Sequence, residues 1–154
     1  IGATKYLVLN LTDAAGTSST PFNDTAPSST VISLGSSGSF NRSGGMIAYC
    51  WTSIPKYSKI GSYTGGSSGK QVNVGFQPSW LLIKRTDSAG GWRLQDSKRV
   101  GSSMDSKNVL ELNVPLAEQA NYVDLPFTAT GFTLNTTSGD YNSSGAEYIY
   151  MAFA

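Results

Sequence analysis

SWLLIKRTDSAGGWRLQD, residues 79–96, decides the fold class. Its first part, SWLLIKR (79–85), is almost continuously apolar, as a strand covered on both faces is. Its last part, WRLQD (92–96), alternates, with Trp92, Leu94 and Asp96 on one face and Arg93 and Gln95 on the other. TDSAGGW (86–92) joins them with an aspartate and paired glycines, the chemistry of a tight reversal. The stretch reads as an antiparallel hairpin.

The same grammar continues in both directions. TKYLVLN (4–10), TVISL (30–34), MIAYCW (46–51), KIGSYT (59–64), QVNVGF (71–76), NVLELN (108–113), GFTLN (131–135) and EYIYMAF (147–153) read as further strands. Connectors such as GSSGSFNRSGG, TGGSSGK and TTSGDYNSSGA supply the Gly, Asn and Ser of turns. PLAEQA (115–120) alone has helical character, and at one to two turns such a helix is marginal. Pro115 and Pro126 flank the least regular stretch. Some ten short strands predict an all-β chain, an antiparallel β-sandwich or jelly roll. SWLLIKR and EYIYMAF are expected at its centre, with Trp80, Leu82, Ile149 and Met151 buried.

Part of the chain is written twice. KYLVLN (5–10) returns as NVLELN (108–113), VISL (31–34) as GFTL (131–134), and FNRSGGMIAY (40–49) as YNSSGAEYIY (141–150). The pairs keep their order at a spacing of roughly 100 residues, which predicts a tandem array. Residues 57–100 have no second copy. The expected organisation is the back half of one module (1–54), a join near Pro55, and a complete module (57–154). Strands in mid-array suggest a piece of something longer. Repeated β-modules serve mostly as spacers, binders or shell components.

Charged residues make up 14% of the chain against about 25% in ordinary soluble domains. The net charge is +1, so no broad attraction to nucleic acid or anionic membrane is expected. There is no histidine, which removes His-ligated zinc, Ser-His-Asp triads and Cys-His pairs. The single cysteine, Cys50, lies in the apolar run MIAYCW and reads as a buried small hydrophobe. No apolar run approaches the ~20 residues of a membrane-spanning helix.

KYSKIGSYTG (56–65), GFQPSWLLIKRTDSAGGW (75–92), QDSKR (95–99), TGFTLNTTSGDYNSSGAEYIYMAFA (130–154) and GATKYLVLN (2–10) together form a recognisable pattern. It resembles modules of structural proteins of tailed bacteriophages, including viruses of cyanobacteria and other marine bacteria, often in tail-fibre or tail-associated proteins. The first module departs from that pattern. It lacks the "SYTG…IKR…DS-R" half, and MIAYCW closes it where MAFA closes the second. The resemblance implies a non-enzymatic virion protein with an assembly role and host-surface adhesion, located on the particle exterior. Its implied partners are copies of itself, other virion proteins and host-surface glycan, with no nucleic acid and no membrane insertion. Alternatives are a capsid decoration or cement protein, a carbohydrate-active tail enzyme, and a secreted bacterial adhesin repeat. The resemblance carries no catalytic residues onto this chain.

An enzyme needs groups that converge. A glycosidase needs two carboxylates about 5–10 Å apart, and Glu111 with Glu147 is the pair to test. No catalytic residue, metal ligand or cofactor is assigned. Asp140 and Asn142 in SGDYNSSG have the oxygens a calcium loop uses, but the earlier copy SGSFNRSG has serine in place of Asp140. An asparagine capping its own turn explains both copies. Trp80, Phe132, Tyr148, Tyr150 and Phe153 sit in apolar strands and read as core. Tyr57, Tyr63, Trp92 and Arg93 lie near loops and strand ends and are the candidate contact residues. Lys84, Arg85, Lys98 and Arg99 bracket the hairpin, with Asp87 and Asp96 close enough to pair with them. Asn-x-Ser/Thr sequons begin at Asn10, Asn23, Asn41, Asn135 and Asn142, and a phage protein would carry no glycans there.

Overall fold

The alternation in EYIYMAF sets the inside of the fold. Tyr148, Tyr150 and Ala152 are buried, while Ile149, Met151 and Phe153 are half-buried on the opposite face. In the computed structural model, which describes residues 1–99 and 107–154, the chain is all-β and antiparallel. Its strands are β1 (Lys5–Tyr6), β2 (Gly16–Thr17), β3 (Ser58–Thr64), β4 (Lys70–Asn73), β5 (Trp80–Arg85), β6 (Trp92–Asp96), β7 (Leu110–Glu111), β8 (Phe127–Thr128), β9 (Gly131–Leu134) and β10 (Glu147–Phe153). A five-stranded sheet runs β3-β10-β5-β6-β7 and a three-stranded sheet runs β4-β9-β8. β1 and β2 pair only with each other.

The two larger sheets close on one core as a sandwich. Phe132 of β9 meets Tyr63 of β3 at 6.2 Å and Tyr150 of β10 at 5.7 Å, both edge-on. Val72, Phe127 and Leu134 come from the smaller sheet and Leu81 and Ile83 from the larger. β5 and β10 are interior strands, as their apolar runs require. Leu82 is buried, while Trp80, Ile149 and Met151 are half-buried on the outer face. That face carries one apolar row across all five strands, Ile60, Met151, Leu82, Leu94 and Leu110 in register. Trp80 and Phe153 flank the row as an edge-on pair at 5.4 Å.

Ile83 is fully buried in the central strand. Removing one methyl group there, as Ile83→Val, is expected to lower unfolding free energy by about 0.5–1.5 kcal/mol in urea titration. A change within 0.2 kcal/mol, on the order of the noise of such data, would show a looser core than this one.

Several sequence-based expectations need correction. PLAEQA forms no helix; Gln119 exchanges both backbone hydrogen bonds with Val109 at 3.0 Å, which holds the stretch extended. TKYLVLN yields only the two residues of β1, and TVISL and MIAYCW form no strands. Cys50 is exposed rather than buried. The join at Pro55 is a tight turn in which Tyr57 N and Ser58 N both donate to Ile54 O at 3.0 Å. Lys56 takes φ 64° there, a left-handed conformation that few side chains favour.

Candidate functional site

The alternation in WRLQD sends Arg93 and Gln95 inward, beside Ile83 and Leu81 in the register of β5 and β6. A buried guanidinium is costly unless carboxylates offset its charge. Arg93 Nη1 donates to Glu111 Oε2 and Nη2 to Asp140 Oδ2, both at 2.7 Å. Glu111 is presented by the Arg93↔Glu111 register of β6 and β7, and Asp140 by the loop between β9 and β10. Tyr122 lies under the guanidinium, with its ring centre 4.9 Å from the central carbon, and its hydroxyl donates to Asp140 Oδ2 at 3.2 Å. Gln95 Nε2 donates to the buried Tyr141 hydroxyl at 3.0 Å. Gly91 makes room for the cluster, because a methyl group there would collide with Glu111 Oε1.

Burial shapes the acid–base behaviour around this cluster. It pushes the Tyr141 hydroxyl far above its ordinary value, Tyr63 well above, and Tyr122 upward despite the opposing Arg93 charge. Burial also lowers Lys84, whose Nζ donates to the carbonyls of Arg85 at 2.6 Å, Asp13 at 3.0 Å and Thr12 at 3.3 Å. Lys84 thereby clips residues 12–13 onto the outer face of the large sheet. Ala15 N donates to Thr86 O at 2.8 Å and Gly90 N to Thr12 O at 2.9 Å, which extends the clip.

The four candidate contact residues part company. Tyr57 is exposed and touches Phe153 edge-on at 6.2 Å. Trp92 is half-buried and spends its indole N–H on Val8 O and Leu11 O, each at 3.2 Å, so it anchors the N-terminal segment. Tyr63 is buried rather than presented; its ring stacks on Tyr148 at 5.0 Å and its hydroxyl donates to Tyr141 O at 2.6 Å. Arg93 is buried with each η nitrogen already held by a carboxylate, so it does not present its fork to a ligand carboxylate or phosphate. Arg85 pairs with Asp87 and Arg99 with Asp96 and Glu118, so much of the hairpin charge is spent internally.

Glu111 and Glu147 do not converge. β5 and β6 separate their strands, and the alternation puts them on opposite faces. Asn142 is buried and works as a turn lock: Nδ2 donates to Thr136 O at 2.8 Å and Ser67 O at 3.0 Å, and Oδ1 accepts from Gly66 N at 2.8 Å. No group of three or more acidic or thiol side chains suited to a metal occurs among the described residues. Sequence reasoning missed the Arg93–Glu111–Asp140 arrangement. Its one available signal was an arginine on the same strand face as Gln95, opposite Trp92 and Leu94.

The fold and cluster define a β-sandwich domain closed at one edge by a buried ionic clasp. A family model covers residues 1–154, and the chain belongs to that family, a domain of unknown function designated DUF7483. No curated protein and no solved structure matches it.

Proposed function

We propose that this chain is a non-enzymatic structural module of a tailed-bacteriophage virion, a part of a tail fibre or related appendage. Its work is assembly and contact with the host surface. The observation that carries this reading is how its side chains are used. One three-membered set of charged groups, Arg93 with Glu111 and Asp140, is consumed inside the domain. Turned outward instead are large uncharged side chains, Val31, Ile47, Tyr49, Trp51 and Tyr57 among them. Exposed aromatic and aliphatic groups of this kind suit protein contacts in an assembly. The phage-like phrases quoted above supply the setting.

Immunogold labelling of purified tailed particles that carry the protein tests the reading. Gold on the fibres or tail is the expected result. Gold on the head would favour the decoration-protein alternative, and particles without label would sink both. Release of oligosaccharide from host-envelope polysaccharide by the pure protein would move the tail-enzyme alternative to first place.

A further inference from the structure

The two copies of the repeated sequence share local geometry but not burial. Phe40 N and Asn41 N donate to Ser37 O at 3.0 and 2.7 Å; Tyr141 N and Asn142 N donate to Ser138 O at 3.0 and 2.8 Å. Asn41 Nδ2 donates to Gly35 O at 3.0 Å, as Asn142 Nδ2 does to Thr136 O at 2.8 Å. Tyr6 bridges Gly16 as Val109 bridges Gln119, ten residues apart in each case. The loop and the bridge of 1–54 are therefore already built on the plan of 108–154.

The strands are not. Ile47, Tyr49 and Trp51 are 79%, 75% and 59% exposed, whereas their counterparts Tyr148, Tyr150 and Ala152 are 0%, 4% and 0% exposed. The difference has a definite source. β10 is paired on both edges by β3 and β5, β9 by β4, and β7 by β6, and all four partners lie in 57–100. Asn142 likewise spends two bonds on Gly66 and Ser67 of that segment. Residues 57–100 occur once and already serve 108–154. A second copy of the chain brings one more such segment and two more halves to be served, so exchange between copies leaves a half uncovered per chain.

We propose that residues 1–54 are the receiving half of a split β-module, completed by a polypeptide segment of the 57–100 type. The occupant has strands equivalent to β3, β4, β5 and β6. They insert beside 31–34 and 46–51 and cover Ile47, Tyr49 and Trp51. An open depression lined by Ile32, Cys50 and Trp51 joins the two uncovered segments. Charge refines the description. The counterparts of Glu111 and Asp140 are Val8 and Ser39, so an arginine at the Arg93 position would be buried with no carboxylate. The occupant is therefore uncharged at that position. The proposal is independent of where the protein resides.

The test is a fusion in which residues 57–100, carrying Arg93→Leu, precede the full chain through a Gly/Ser linker. Hydrogen exchange is read at 46–51 and 147–153. In the unmodified chain 46–51 should exchange freely while 147–153 are protected. In the fusion, protection at 46–51 should rise by about 100-fold or more, as ladder amides form. Keeping Arg93 in the added segment should cut that gain by about 100-fold. An added segment with Ile83→Asp should give no gain. Free exchange at 46–51 in the Arg93→Leu fusion, whatever happens at 147–153, overturns the proposal. So does concentration-dependent protection of 46–51 in the unmodified chain, which would assign the cover to a second copy.

Discussion

Arg93→Leu should lower unfolding free energy at pH 7 by about 3–5 kcal/mol, the usual cost of removing one partner from a buried ionic set. The side chains of Arg93, Glu111 and Asp140 are 9%, 11% and 22% exposed, so water screens the remaining charges poorly. Without the guanidinium, two carboxylates face each other across the vacated space. Two like charges held close with little water between them repel, which adds to the loss. Replacing Glu111 and Asp140 with Leu and Asn alongside Arg93→Leu should recover most of the loss, because an apolar replacement of the whole set removes the unpaired charges. Denaturant titration at pH 7 reads both effects. A triple variant no more stable than Arg93→Leu alone would mean that the loss is packing rather than charge.

The strand pattern in 57–154 was legible because each strand finds its partner within the same stretch of chain. SWLLIKR and EYIYMAF, apolar on both faces, are interior strands of the five-stranded sheet, and KIGSYT, QVNVGF, WRLQD and GFTLN each contain a strand near the expected bounds. The same reading of TVISL and MIAYCW names sequences with strand periodicity and no strand. Periodicity reports which side chains share a face; it does not report whether an edge exists to pair with. Cys50 is exposed for the same reason.

At the candidate site the faces of WRLQD were legible and their polarity was not. Arg93 and Gln95 do share a face opposite Trp92 and Leu94, but the face with the charge is the inner one. What reverses the expectation is a pair of carboxylates 18 and 47 positions further along the chain. No local rule connects residues at such distances. Tyr63 was misread similarly, since its hydroxyl finds Tyr141 O from 78 positions away.

The second large effect is expected in alkali. Stability should fall steeply above pH 10 because the folded sandwich keeps tyrosines protonated that the unfolded chain does not. Burial raises Tyr63, Tyr141, Tyr148 and Tyr150 above the ordinary value of 10.0. A group whose folded value is raised contributes its stability below the unfolded value and loses it as pH climbs toward the folded one. Above pH 10 the unfolded chain therefore binds fewer protons than the folded one. Each fully buried tyrosine then removes up to about 1.4 kcal/mol per pH unit, and Tyr63 with Tyr141 alone up to about 2.7. Lys84 works the other way, since burial lowers it. Its charge is a cost in the folded state at neutral pH, and that cost disappears as pH rises to its unfolded value of 10.5. One lysine cannot offset several tyrosines, and it stops contributing where they begin. Tyr63→Phe separates the two roles of its hydroxyl. At pH 7 it should cost about 1 kcal/mol for the lost hydrogen bond to Tyr141 O. Between pH 10 and 11 it should make the decline shallower by up to about 1.4 kcal/mol per unit, since one fewer buried phenol is linked to folding. Thermal melts in buffers from pH 8 to about 11.5, read by near-ultraviolet circular dichroism, follow the decline directly. A melting temperature that holds steady through pH 11 would show that these hydroxyls reach water in the folded protein.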